Sequence, residues 1–128
     1  MRQLLTIVTC LTLTVVGCST PADTASSLPP GDAARGSALF TQSINGTPPC
    51  ATCHTLDGVT LVGPSLQGFA ARAGTRINGV SARDYTYESV VHPASYLVSG
   101  FGNLMYNQYA QRLSAQQIAD LVAYLLTL

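Results

Sequence analysis

The chain has 128 residues and equal numbers of basic and acidic side chains, six of each, so its formal net charge at neutral pH is zero. Because charged residues make up only 9% of the sequence and every basic residue is arginine, the chain lacks the basic surface typical of nucleic-acid-binding proteins. Its 47% of hydrophobic residues also exclude the disordered class, and its length fits one domain.

The first segment, residues 1–17, is predicted to be a secretory signal peptide. Arg2 precedes an apolar run from Leu4 to Val16. Thirteen helical residues span ~20 Å, which is short of the ~30 Å hydrocarbon core of a bilayer. This layout is typical of a cleaved signal, and a short transmembrane anchor is the alternative.

Cys18 ends the segment Val15-Val16-Gly17-Cys18, which resembles the bacterial lipobox. The resemblance implies that Cys18 is acylated and becomes the mature N-terminus. Its lipid would anchor the protein to an extracytoplasmic membrane face, either the periplasmic face or the outer face. The alternative is an unmodified cysteine after an ordinary signal. Residues 18–30 are rich in Ser, Thr, Ala and Pro, which predicts a flexible tether, and the folded domain is predicted to span residues 31–128.

The first helix of the domain is expected after Asp32, whose carboxylate can cap its N-terminus. Gly36 lies inside this helix, where glycine costs about 1 kcal/mol relative to alanine. That cost predicts that another helix passes close to the backbone at Gly36.

The central motif is Cys50-Ala51-Thr52-Cys53-His54, because C-x-x-C-H is the attachment signature of c-type haem. Two cysteines one helical turn apart can reach the two vinyl groups on one porphyrin edge, and the imidazole of the next residue can bind the iron. A zinc site would need two further ligands, a thioredoxin-like pair would need a βαβ context, and a disulfide between Cys50 and Cys53 is the remaining alternative.

Two more helices are predicted downstream. A short one is expected from about Asp84 to Val91, ending before His92 and Pro93. The last helix begins at Ser114, which forms a capping box with Gln117. It has one apolar face, formed by Ile118, Leu121, Val122 and Leu125.

Four segments together resemble the class I c-type cytochrome family. They are the first helix with Gly36 and Phe40, the motif from Cys50 to His54, the segment Gly63-Pro64-Ser65-Leu66-Gln67-Gly68, and the last helix from Gln117 to Leu128. The resemblance implies an all-α, compact fold in which the N- and C-terminal helices cross and helices and loops enclose the haem. It also implies one covalent haem c, attached through Cys50 and Cys53.

The same resemblance implies the surroundings of the iron. His54 and Met105 are the expected axial ligands, the carbonyl of Pro64 is expected to accept a hydrogen bond from His54, and Leu66 is expected to pack on the haem. The family usually has proline after the ligand methionine, and here Tyr106 takes that position, so Tyr106 is expected to hold Met105 by packing. His92 is the competing ligand, and it would give bis-His iron of lower potential.

Two protein axial ligands leave no open position on the iron, so we expect electron transfer and neither enzymatic activity nor a small-molecule substrate. The segment from Tyr87 to Gly102 is similar to cytochrome subunits of bacterial respiratory complexes such as alternative complex III. The expected partners are therefore the membrane, through the N-terminal lipid, and a respiratory or photosynthetic complex that the protein serves as subunit or carrier. Two alternatives remain: a haem-based sensor or peroxidase-like enzyme with open or bis-His iron, and a non-haem lipoprotein with a Cys50–Cys53 disulfide.

Overall fold

A computed structural model describes residues 24–128. Within that range the chain forms helices and loops and no strand. The five α-helices are α1 (Ala33–Thr41), α2 (Phe69–Ala73), α3 (Ala82–Val91), α4 (Tyr109–Arg112) and α5 (Ala115–Leu125). Short 3₁₀ turns lie at Ala25–Ser27 and Cys50–Thr52. No helix of residues 24–128 has the length and apolar character needed to cross a membrane. The predicted signal segment and Cys18 lie outside the described residues.

The first and last helices, α1 and α5, cross in direct backbone contact. A Cβ atom added to Gly36 would lie 2.0 Å from the carbonyl oxygen of Asp120 and 2.7 Å from the Cβ of Tyr124. Only glycine permits this approach, as the sequence predicted. One turn later, the ring of Phe40 meets that of Tyr124 edge to face at a centroid distance of 5.6 Å.

Both helices start with the predicted caps. The Asp32 carboxylate accepts a hydrogen bond from the backbone N–H of Arg35 at 3.0 Å. The Ser114 hydroxyl accepts from the backbone N–H of Gln117, and the Gln117 side chain accepts from the backbone N–H of Ser114. The predicted apolar face of α5 (Ile118, Leu121, Val122 and Leu125) is buried in the core.

Asp120 is a buried carboxylate at this helix crossing, with only 2% of its surface exposed. It accepts hydrogen bonds from Nε and Nη2 of Arg35, at 2.7 and 2.9 Å, from the backbone N–H of Asp32 at 2.8 Å and from Nε2 of Gln116 at 2.9 Å. Charge-assisted, two-pronged bonds of this kind are among the stronger polar contacts in proteins. This group therefore fastens the start of the domain to its last helix.

Residues 24–30, here named the N-terminal strap, pack onto the domain. Ala25 is 1% exposed, and its carbonyl accepts hydrogen bonds from the Arg83 guanidinium at 3.3 and 3.4 Å. The Pro30 carbonyl accepts from Nε2 of Gln116 at 2.9 Å, and Leu28 packs against the core. The structure thus differs from the expected flexible tether for this part of residues 18–30, because the strap's apolar side chains reach the core.

Helix α3 separates the strap from the functional site. It begins at Ala82, two residues before the predicted start, because the Ser81 hydroxyl caps it by accepting from the backbone N–H of Asp84 at 3.0 Å. Its residues Tyr87 and Val91 line a small cavity under the strap, and its residues Thr86 and Val90 line a larger cleft on the other side.

Candidate functional site

A deep cleft enters the domain between the motif loop and the loop that carries Met105. It has about 1120 Å³ of empty volume, including the open space at its mouth, and most of its lining surface is apolar. The apolar and aromatic lining includes Phe40, Val62, Leu66, Phe69, Tyr85, Val90, Phe101, Met105 and Leu125. Its size and its apolar walls with a few polar groups are typical of a site for a large organic ligand.

The motif lies on one wall of this cleft. Cys50–Thr52 form a 3₁₀ turn in which the backbone N–H groups of Cys53 and His54 both donate to the Cys50 carbonyl, at 3.1 and 3.0 Å. This turn brings the two half-buried thiols and the His54 ring to the same cleft. In the folded domain, burial raises the pKa of the Cys50 thiol to about 11.

The His54 ring is fixed by a hydrogen bond between its Nδ1 and the carbonyl oxygen of Pro64, at 2.8 Å. Because a carbonyl only accepts hydrogen bonds, Nδ1 carries the proton and Nε2 keeps the free lone pair that a metal needs. Gly63 packs on the same ring, since a Cβ at this position would lie 2.5 Å from Cε1 of His54. This role of Gly63 was not predicted, although a glycine before Pro64 was a signal for it.

Leu66 lies under the cleft, 8% exposed, and its backbone N–H donates to the Thr55 carbonyl at 2.8 Å. Phe69 is also part of the cleft wall.

Met105 lies in the lining of the same cleft, in the loop before α4. The next residue, Tyr106, packs its ring edge to face against Tyr109 at 5.0 Å, and the Tyr109 hydroxyl donates to the Pro48 carbonyl at 2.8 Å. Burial raises the pKa of Tyr109, so it remains a neutral donor. The methionine loop is therefore tied to the segment just before Cys50, a link through Tyr109 that no local sequence pattern indicated.

His92 lies apart from this group. It caps the end of α3, its side chain is 56% exposed, and its Nδ1 lies 2.9 Å from a carboxylate oxygen of Glu88. It is not among the residues that line the cleft.

Comparison with known protein families identifies the domain. The family described as Cytochrome c matches residues 33–128, from the first residue of α1 to the end of the chain. The chain belongs to the cytochrome c family. A comparison with curated proteins found no match.

Cytochromes c carry covalently attached haem c and transfer electrons, so this protein has one such haem and an electron-transfer role. The all-α fold predicted from the sequence is confirmed by the helical architecture of residues 24–128. The cleft of this cytochrome fits the cofactor: it brings two thiols, an oriented imidazole and a thioether together between apolar walls. When bound, the haem supplies an iron that gains and loses one electron.

Proposed function

We propose that this cytochrome is a membrane-tethered electron carrier with His54 and Met105 as axial ligands, attached through a lipid on Cys18. In this proposal it serves a membrane respiratory or photosynthetic complex as an accessory subunit or as its carrier. The observation that carries the ligand assignment is that His54 and Met105 line one cleft, while His92 is exposed and bonded to Glu88.

The surroundings of the two ligands support a rigid, closed site. Pro64 and Gly63 together fix the ring of His54 in one orientation. On the other side, the Tyr106–Tyr109 ring contact restrains the chain next to Met105, which supports the expectation that packing replaces the family's proline. A site whose ligands are held in place reorganises little during one-electron transfer, and two such ligands leave no position for a substrate.

The test of ligation is the absorption spectrum of the oxidised holoprotein, read at the weak long-wavelength band that reports methionine sulfur on ferric haem. The band should be present in the wild type, absent in Met105→Ala and unchanged in the control His92→Ala. If the wild type lacked the band, an open or bis-His iron would replace this assignment. Ready binding of carbon monoxide by the reduced protein would then indicate an open iron, as the sensor or peroxidase-like alternative requires.

The proposed anchor is tested separately, since it depends on Cys18 and not on the cleft. The wild-type protein should sediment with membranes and require detergent for release. The variant Cys18→Ala should carry no lipid mass, with its haem content unchanged. An unmodified Cys18 in membrane-bound wild type would contradict the lipid anchor.

The relation to a larger complex is tested by purification in mild detergent. A tagged holoprotein that copurifies in fixed proportion with other redox subunits supports the subunit form of the proposal. If the cytochrome were monomeric in every mild detergent and membranes still oxidised it rapidly, the subunit form of the proposal would be wrong and the carrier form would stand.

A further inference from the structure

The exposed large hydrophobic side chains of residues 24–128 lie in chain segments that contribute residues to the cleft lining. They are Leu56, Val59, Leu61, Val62, Leu97 and Leu104, with exposures of 41, 54, 48, 56, 46 and 72%. Three of them, Val62, Leu97 and Leu104, line the cleft itself, so a bound haem covers part of their surface. Leu56, Val59 and Leu61 do not line the cleft, so a bound haem does not account for their exposure.

These three side chains belong to residues 55–62, here named the rim loop, which directly follows His54. The rim loop has a defined backbone: the Thr55 hydroxyl donates to the Val59 carbonyl, and the backbone N–H of Gly58 donates to the Ser65 hydroxyl at 3.0 Å. Immediately after the loop, the backbone N–H of Gly63 donates to the Cys53 carbonyl at 3.0 Å. The apolar side chains are thus presented to solvent by a held loop that is bonded to the motif itself.

The rim loop carries little charge. Asp57 is its one charged residue, and the nearest arginine in the sequence, Arg72, donates to backbone carbonyls outside the loop, including that of Ser65 at 3.2 Å. A single carboxylate produces a weak field. A surface of this kind complements an apolar, uncharged surface, because steering by charge needs several charges of one sign.

A protein surface fits this loop better than a lipid surface does. The backbone N–H of Val59 donates to the Asp57 carboxylate at 3.1 Å and holds its pKa below the ordinary value. Asp57 is therefore ionised at neutral pH, and a carboxylate between Leu56 and Val59 opposes insertion of the loop into a bilayer. At a protein interface the same carboxylate can lie in the solvated rim.

We propose that the rim loop is the docking face for a redox protein that presents an apolar, uncharged surface around a one-electron metal centre. The apolar contact brings that centre to the cleft mouth, where one electron passes between the two metals and no atom is transferred. This inference rests on the proposed function, since it specifies the partner surface of the same electron-transfer site.

The test uses the full-length, lipidated holoprotein and membranes from a strain of the source cell that lacks it. Oxidation of the reduced cytochrome is followed by stopped flow, both with intact membranes and with membranes solubilised in the detergent that holds the cytochrome. The variants are Val59→Lys and Leu61→Lys, and the matched control is Ala38→Lys on the exposed side of α1. Reduction of each variant by hydroquinone, a small uncharged reagent, reports redox competence without docking.

The wild-type rate should change less than about twofold between about 20 and 300 mM salt, a range in which charge-steered association falls steeply. Each rim-loop variant should lose about tenfold in rate in both membrane preparations, equivalent to about 1.4 kcal/mol. Ala38→Lys should match the wild type, and hydroquinone should reduce all four proteins equally.

Three results would overturn the proposal. A steep salt dependence with rim-loop variants as fast as the wild type would indicate docking through charges elsewhere. Variants slowed only with intact membranes would indicate contact with lipid. Ala38→Lys slowed as much as Leu61→Lys would indicate a general effect of added charge. Failure of the proposed function would give a result distinct from these three. The wild type would then be oxidised by neither membrane preparation, although hydroquinone still reduced it.

Discussion

Replacing Gly36 with alanine should destabilise the domain, although alanine is the better helix former. In an open helix the change would add about 1 kcal/mol of stability. Here the new methyl carbon would lie 2.0 Å from the Asp120 carbonyl oxygen, so α1 and α5 must separate by ~1 Å. A gap of that size forfeits a quarter to a half of each dispersion contact across the interface. We expect a net loss of about 2–3 kcal/mol, the upper part of the usual range for overpacking a core.

Denaturation of the holoprotein by guanidinium chloride, followed by far-ultraviolet circular dichroism, measures this change as a lower midpoint at a constant slope. The control is the reverse substitution Ala34→Gly at an exposed site in the same helix, which should cost about 1 kcal/mol. Both variants should therefore be less stable than the wild type. A higher midpoint for Gly36→Ala would mean that helix propensity dominates, and it would refute the close approach of α1 and α5.

Two further predictions concern polar groups. Hydrogen bonding from Arg35 holds the pKa of Asp120 at about 2, below the ordinary value of 3.8. The Asp120 carboxylate therefore stabilises the fold fully above about pH 4, and this stabilisation is lost as the pH falls towards 2. Allowing for solvent around Arg35, we expect about 1–2 kcal/mol of the free energy of unfolding to be lost on acidification of the wild type but not of Asp120→Asn. The measurement is the difference between unfolding midpoints at about pH 5 and 2.5. An equal difference in both proteins would contradict this prediction. Tyr109→Phe should lower the free energy of unfolding by about 1 kcal/mol, because the Pro48 carbonyl loses its donor. The same variant should weaken the methionine–iron absorption band, whereas the control Tyr96→Phe should leave that band unchanged.

Local sequence signals predicted the two helices that hold the fold together. Asp32 caps α1, Ser114 and Gln117 form the capping box of α5, and Gly36 marks the crossing point. Each signal predicted the structure because its physical cause lies in one or a few neighbouring residues: a side-chain acceptor at a helix start, or the absence of a Cβ. The short helices α2 and α4, with five and four residues, were not predicted, since they are too short to give a periodic pattern.

Long-range contacts account for what the sequence analysis missed. Asp120 was not predicted to be a buried carboxylate, because its partner Arg35 lies 85 residues earlier in the chain. The strap had the composition of a linker, and its packing depends on Arg83 and on the core beneath Leu28. In the site, the motif from Cys50 to His54 was predicted from its own spacing and the roles in segment 63–68 from the family resemblance, whereas the link from Tyr109 to Pro48 is set by tertiary structure.

The pairing of α1 with α5 has a consequence for the order in which the protein is made. Helix α1 lacks its partner until the C-terminal helix has been synthesised, because Gly36 and Arg35 make their contacts with residues near Asp120. Until α5 closes onto α1, the scaffold that half-buries the thiols of Cys50 and Cys53 is incomplete. The two thiols are therefore more accessible to haem attachment before the chain folds, and closure of α5, whose Leu125 lines the cleft, completes the wall around the cofactor.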